Sequence, residues 1–191
     1  MKKYLSVFIG VFLVVGLANS IYTQMTKEPP SSAGKAKRLP CHMKLTTFER
    51  CYDKEALKKA QYILTTGNFD FNSYVEKSHY APSKLFNYVK LKDCDNFMQK
   101  ELSSYTTTKD KSKEKLHMTY YIYENDVKDP GKKTKKSKLY AGYVVFKVYD
   151  KNHKIIYQSQ VDFMDRHGKD IKKSMKCVIK SFMTFNKTKG E

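Results

Sequence analysis

The chain has 191 residues and a net charge of +18, and 14% of its residues are aromatic although it contains no tryptophan. This length suits one domain of ordinary size with a hydrophobic core and leaves no room for several such domains. The excess of positive charge favours anionic partners. By itself it does not distinguish nucleic acid, lipid headgroups, cell-wall polymers and acidic proteins.

The first twenty residues have the layout of a secretory signal peptide. Two lysines precede an almost wholly apolar run over residues 4–17, and the small residues of a cleavage site follow at 18–20. The alternative is an uncleaved anchor, with residues 4–22 as a membrane tether, but a span usually needs about 20 apolar residues and polar or glycine positions interrupt this run. Both interpretations predict a domain outside the cytoplasm, either periplasmic or secreted, or membrane-anchored and facing outward.

Residues 21–40 contain three prolines, two serines and a glycine with little apolar content. Such a segment cannot bury enough surface to offset its ordering entropy, which predicts a disordered linker. We therefore expect one folded domain over residues 41–191.

Four cysteines, an even number in an exported chain, predict two structural disulfides. Cys41 and Cys51 enclose nine residues, so a local bridge would join them and leave Cys94 to pair with Cys177. Alternatives are a Cys177 thiol activated by the surrounding lysines, or a zinc site made by Cys41, His42 and Cys51. The spacing matches no standard zinc site, and we predict neither a metal nor a cofactor.

Periodicity predicts two helices, three strands and a last helix in chain order. Asp53 to Leu64 is amphipathic with acids at its start, and Gly67 can end that helix. Residues 67–91 remain ambiguous between a short strand and a helix. The remaining predicted elements are a helix over about 93–105, strands over 116–124, 138–150 and 154–165, and a helix that begins near Asp170.

This order predicts an α+β fold. Three strands joined by a longer basic hairpin loop (125–138) and a turn (150–153) form an antiparallel meander, with room for a fourth strand in the ambiguous region. A sheet with one apolar face needs a covering layer, which amphipathic helices supply. We therefore expect a two-layer sandwich of a three- to four-stranded antiparallel sheet and helices, closed by the C-terminal helix.

The sequence lacks the nucleotide-binding glycine loops and the nucleophile elbow of common enzymes. One polar cluster, "VDFMDRHGKD" (161–170), gathers three carboxylates around a histidine. Asp165 and His167 are its weak catalytic candidates, which would support a secreted hydrolase or nuclease using the cluster from Asp162 to Asp170. Such residues more often satisfy a turn and cap a helix, and we expect no enzyme activity.

The strongest surface feature is a basic hairpin loop, residues 125–138, above tyrosine-rich strands. Its lysines could hold an anionic polymer by charge, with stacking on the tyrosines beneath. The leading hypothesis is an exported, disulfide-bonded, non-enzymatic accessory domain of the cell envelope that binds an envelope protein or an anionic polymer. A basic secreted effector is a further alternative. The predicted anion-binding residues are Lys132, Lys133, Lys135, Lys136 and Lys138.

Overall fold

A computed structural model describes residues 34–35, 37–108 and 112–186, with the side chains of Lys35 and Lys136 excepted. The predicted signal peptide (1–20) and the predicted linker as far as residue 33 lie outside the described residues. Within the described part of the chain, no helix combines the length and the hydropathy needed to cross a membrane.

Six strands and four α-helices make up the described fold. The strands are β1 (Gly34–Lys35), β2 (Thr47–Cys51), β3 (Phe69–Glu76), β4 (Leu116–Glu124), β5 (Gly142–Tyr149) and β6 (Ile155–Phe163). The helices are α1 (Pro40–Lys44), α2 (Lys54–Thr65), α3 (Leu91–Ser103) and α4 (Ile171–Thr184). The predicted α+β class is confirmed, as are three strands and three helices near their predicted positions.

The sheet is larger than predicted and is mixed. Its strand order is β1-β2-β6-β5-β4-β3, and the predicted antiparallel meander forms its β4-β5-β6 part. β3 pairs parallel to β4, so the prediction of a wholly antiparallel sheet of three to four strands is wrong. The reason is α3, which lies between β3 and β4 in the chain and returns the second strand in the same direction as the first.

The helices bury their apolar sides in one core with one face of the sheet. Leu57 and Leu64 of α2, Met98 of α3 and Phe182 of α4 belong to the same buried cluster as Phe146 of β5. The Phe182 and Phe146 ring centroids lie 5.9 Å apart. The helices cover this face of the sheet. The residues that alternate with the buried ones along β4 and β5 form the opposite face.

The ordered fold begins before the predicted boundary at residue 41. β1 pairs with β2, and Leu39 is buried. Arg38, predicted to lie in the linker, donates from Nε and Nη2 to the two oxygens of Glu49, at 2.9 and 2.6 Å, and from Nη1 to Thr184 Oγ1 at 2.7 Å. Glu49 also accepts a bond from the hydroxyl of buried Tyr157 at 2.8 Å. This network attaches the start of the domain to its last helix.

Candidate functional site

Strand register brings five tyrosines together on the sheet face opposite the helices. In β4, Tyr121 and Tyr123 alternate with core residues, and they lie opposite Tyr74 of β3 and Tyr143 of β5, respectively. Tyr140 precedes β5, and its ring centroid is 6.2 Å from that of Tyr143. We call this surface the tyrosine face, defined by Tyr74, Tyr121, Tyr123, Tyr140 and Tyr143 with Lys132 and Lys147.

The rings stack in pairs across neighbouring strands. The centroids of Tyr123 and Tyr143 lie 4.4 Å apart at an interplanar angle of 17°, and those of Tyr74 and Tyr121 lie 4.8 Å apart at 14°. These separations match the spacing of paired strands, about 4.8 Å, so the rings stand upright on the sheet. Within each pair, one face of each ring is occupied by its neighbour.

Two lysines lie over these rings. Lys132 Nζ is 5.2 Å from the ring centroid of Tyr123 and 5.5 Å from that of Tyr140, and Lys147 Nζ is 5.5 Å from that of Tyr121. Such distances are those of cation–π contacts. Lys132 Nζ also donates to the hydroxyl of Tyr123 at 3.2 Å and to Asn125 Oδ1. The ammonium groups are thereby held at the surface of the ring cluster.

The hydroxyls of four of these tyrosines keep their protons far above neutral pH. Burial, together with the nearby charge of Glu76, raises the pKa of Tyr121 to about 12 and also raises the pKa of Tyr74. Burial is likewise the main cause that raises the pKa of Tyr140 and of Tyr143. These phenols therefore offer O–H donors beside the lysine ammonium groups.

Two acidic side chains lie beside the tyrosine face, one at each side. Glu76 lies on β3 opposite Tyr123, and Asp162 lies on β6 opposite Tyr143. Asp162 Oδ1 accepts a bond from Gln160 Nε2 at 3.4 Å. These two acidic side chains balance the charges of Lys132 and Lys147, so the excess of positive charge comes from the basic loop that borders the tyrosine face.

Of the five lysines predicted to bind an anion, one is seen in contact with the tyrosines. Lys132 lies on the tyrosine face, while Lys133, Lys135 and Lys138 are exposed on the same loop. The side chain of Lys136 lies outside the described residues. The sequence did not lead us to predict Lys147 as part of the site. The alternation of β5 between core and open face is the signal that could have placed it on the open face.

The weak catalytic candidates take part in a turn before α4. Asp165 Oδ1 accepts from the backbone N–H of His167 at 2.8 Å and of Lys169 at 3.3 Å, and these bonds lower its pKa. Asp170 accepts from the backbone N–H groups of Met164 and Asp165. The His167 ring packs edge-on against Tyr88, with centroids 4.4 Å apart. The carboxylates are engaged in holding this turn.

The cysteines pair differently from the prediction. Cys41 is bonded to Cys177, whereas Cys51 and Cys94 are free, so both predicted bridges are wrong. α3 and α4 do pack together, as the prediction required, and Lys176 of α4 pairs with Glu101 of α3 at 3.7 Å. α1 nevertheless brings Cys41 to Cys177, and Cys94 remains buried in the core, where burial raises its pKa to about 11.

A concavity with a volume of about 380 Å³ lies between α2 and the β5–β6 turn. Two of its three lysines are in ion pairs: Lys59 Nζ lies 2.7 Å from a carboxylate oxygen of Glu114, and Lys115 Nζ lies 3.0 Å from one of Asp70. His117 Nδ1 also contacts Asp70, at 2.7 Å. The third, Lys151, is exposed at the β5–β6 turn. We therefore favour the tyrosine face with its bordering basic loop, where more lysines lie close together.

Searches of protein families, curated proteins and solved structures found no match to this chain.

Proposed function

We propose that this protein is a non-enzymatic binding domain of the cell envelope whose tyrosine face and basic loop bind an acidic polysaccharide. The observation that carries the proposal is the placement of Lys132 and Lys147 over tyrosine rings on the sheet face that the helices leave open. Ammonium groups and protonated phenols together are donors suited to carboxylate or phosphate oxygens and to sugar hydroxyls.

The extent of the site supports a polymer as its ligand. From Tyr74 on β3 to Tyr143 on β5 the tyrosine face spans two strand spacings, about 10 Å. The exposed lysines Lys133, Lys135 and Lys138 continue the positive surface along the bordering loop. A chain of regularly spaced negative charges can contact both regions at once, and a single small anion cannot.

Two features favour an acidic polysaccharide over nucleic acid. Base stacking needs free ring faces, and each tyrosine of the two pairs already uses one face against its neighbour. Base reading relies on arginine forks, and the sequence has three arginines, of which Arg38 is bound to Glu49 in the fold.

The envelope setting is supported by two observations of different kind. Disulfides such as Cys41–Cys177 persist in oxidising compartments outside the cytoplasm. The signal-peptide pattern of residues 1–20 agrees with such a location. Sequencing the N-terminus of native material tests this part of the proposal: cleavage near residue 20 supports export, and an intact leader on a cytoplasmic protein contradicts it.

Two charge-matched double variants test the site. In K132Q/K147Q both lysines of the tyrosine face lose their charge, whereas K173Q/K180Q removes two exposed charges from α4, on the other side of the sheet. Affinity for polygalacturonate, measured by calorimetry at low salt, should fall roughly 5- to 30-fold in the first variant, since two contacts of ~0.5–1 kcal/mol each are lost.

The control variant should bind within about twofold of the wild type. Equal losses in both variants would show that only the total charge matters and would refute the proposed site. Tighter binding of a single-stranded DNA of equal charge would favour the nucleic-acid alternative. Neutral dextran should not bind, because it offers no charge to the lysines.

A further inference from the structure

His42 is a buried histidine with an unused ring nitrogen. Its side chain is 5% exposed, and Nε2 lies 2.7 Å from Ser181 Oγ. Nδ1 is shielded from solvent and has no hydrogen-bond partner among the described residues. A buried polar atom without a partner usually costs about 1–3 kcal/mol, so such an atom calls for an explanation.

The Cys41–Cys177 bridge lies beside this ring. One ring nitrogen of His42 and the sulfurs of Cys41 and Cys177 all lie within 4.8 Å of one another. Two ligand atoms around one tetrahedral zinc ion lie roughly 3.5–3.8 Å apart, as follows from Zn–S and Zn–N bonds of about 2.3 and 2.0–2.1 Å. Once the S–S bond is broken, small side-chain movements would bring the three atoms to those separations.

A cavity of about 230 Å³ adjoins His42, lined in part by Met43, Thr46 and Thr47. It offers space beside the ring for a water molecule as the fourth ligand of a metal ion.

We propose that reduction of the Cys41–Cys177 bridge opens a Zn²⁺ site formed by the two thiolates and His42 Nδ1. A dithiol reductant supplies two electrons and two protons: the S–S bond breaks, two cysteine thiols form, and the reductant becomes a disulfide. Zn²⁺ then displaces the two thiol protons into solvent and binds both sulfurs and the ring. Thiolate and imidazole ligands are the set that zinc prefers.

The site differs from the predicted grouping of Cys41, His42 and Cys51, because Cys177 takes the place of Cys51. It is independent of the tyrosine face, since His42 and Ser181 belong to the contact between α1 and α4. In an oxidising compartment the bridge closes the site. In a reducing one, zinc would replace the bridge as the link between the start of the domain and its last helix.

Cobalt is the spectroscopic probe that tests this proposal. The protein is C51S/C94A, which removes the two free thiols, and it is reduced with a phosphine before Co²⁺ and then Zn²⁺ are added. We expect a thiolate-to-cobalt charge-transfer band that saturates at one ion per chain and disappears as Zn²⁺ displaces Co²⁺. Reduced wild type should bind the same single ion, and the oxidised protein should give no band.

His42→Gln is the decisive variant and His79→Gln its control, because His79 is exposed in the loop after β3. The first should weaken zinc binding more than about 10-fold. Even the loss of a residue that only supports a metal ligand typically weakens metal binding by about 10- to 100-fold, and His42 is proposed as a ligand itself. The second should leave binding unchanged.

Circular dichroism keeps the test valid if reduction unfolds the chain. In that case Zn²⁺ should restore the helical signal, because metal binding and folding are then coupled. The absence of a band, equal binding by His42→Gln and the wild type, or failure of Zn²⁺ to refold an unfolded reduced chain would each overturn the proposal.

Discussion

Reducing the Cys41–Cys177 disulfide should destabilise the domain by several kcal/mol. The bridge joins residues separated by 136 positions, so it closes a loop over most of the described chain. The chain-entropy estimate for a loop of this length is about 5 kcal/mol at 25 °C, and measured effects generally fall below it, at about 2–4 kcal/mol. This is a large part of the ordinary stability of a domain.

Urea unfolding monitored by circular dichroism measures this effect. Oxidised protein and the C41S/C177S variant should differ in free energy of unfolding by about 2–5 kcal/mol, under metal-free conditions that exclude a zinc contribution. C51S/C94S is the matched control for removing two sulfurs, and reduction should destabilise it as it does the wild type. A difference below about 1 kcal/mol, or a non-reducing peptide map that joins Cys41 to Cys51, would refute the assigned pairing and its energetic role.

Three further results are expected. Glu124 accepts hydrogen bonds from the backbone N–H groups of Lys84 and Leu85. Burial opposes its ionisation, but these bonds lower its pKa overall. Glu124→Gln should therefore lower the free energy of unfolding by about 1–3 kcal/mol at pH 7. The carboxylate contribution is present above the usual pKa of 4.5 and is lost as pH falls through the lower folded value, so wild type and variant should converge in acid unfolding. Cys94 should resist alkylation in the folded protein, because it is buried with a pKa of about 11, whereas half-buried Cys51 should react faster; equal rates would contradict the packing of α3. Ultraviolet difference titration should show Tyr121 ionising near pH 12 in wild type but not in Tyr121→Phe, and a normal titration would contradict its burial.

The elements that local pattern controls could be predicted from the sequence. Asp53 caps α2 by accepting from the N–H of Ala56 at 2.9 Å, and Gly67, at φ 72°, follows the helix, as the residue types indicated. Strict alternation in β4, with every second residue buried, made that strand evident. Both signals lie within a few residues of chain, where propensity and periodicity are sufficient.

Features that depend on distant partners were missed. β2 has only five residues, and its buried Thr47 and Glu49 hide the apolar alternation; Glu49 is buried because Arg38 and Tyr157 contact it. The helical positions of Cys94 and Cys177 were compatible with a bridge. The position of Cys41 over α4, however, depends on the contacts of Arg38 with Glu49 and Thr184, and it cannot be deduced from spacing.

The tyrosine face was predicted in part. The basic loop and the tyrosine-rich strands were recognised together, but cross-strand register decides that Tyr123 meets Tyr143 and that Tyr74 meets Tyr121. The parallel pairing of β3, which supplies Tyr74, was not foreseen. Consequently the sequence predicted stacking of a ligand on the rings, whereas the fold stacks the rings on one another and places the Tyr123 hydroxyl beside Lys132.

Amide chemical-shift mapping during a titration with polygalacturonate tests the proposed binding surface most directly. Saturable shifts should concentrate on β3, β4, β5 and the loop that contains Lys132, with the largest near Tyr121 and Tyr143, and they should diminish as salt screens the charges. Shifts centred on α4, or spread evenly over lysines on every side of the domain, would contradict binding at the tyrosine face.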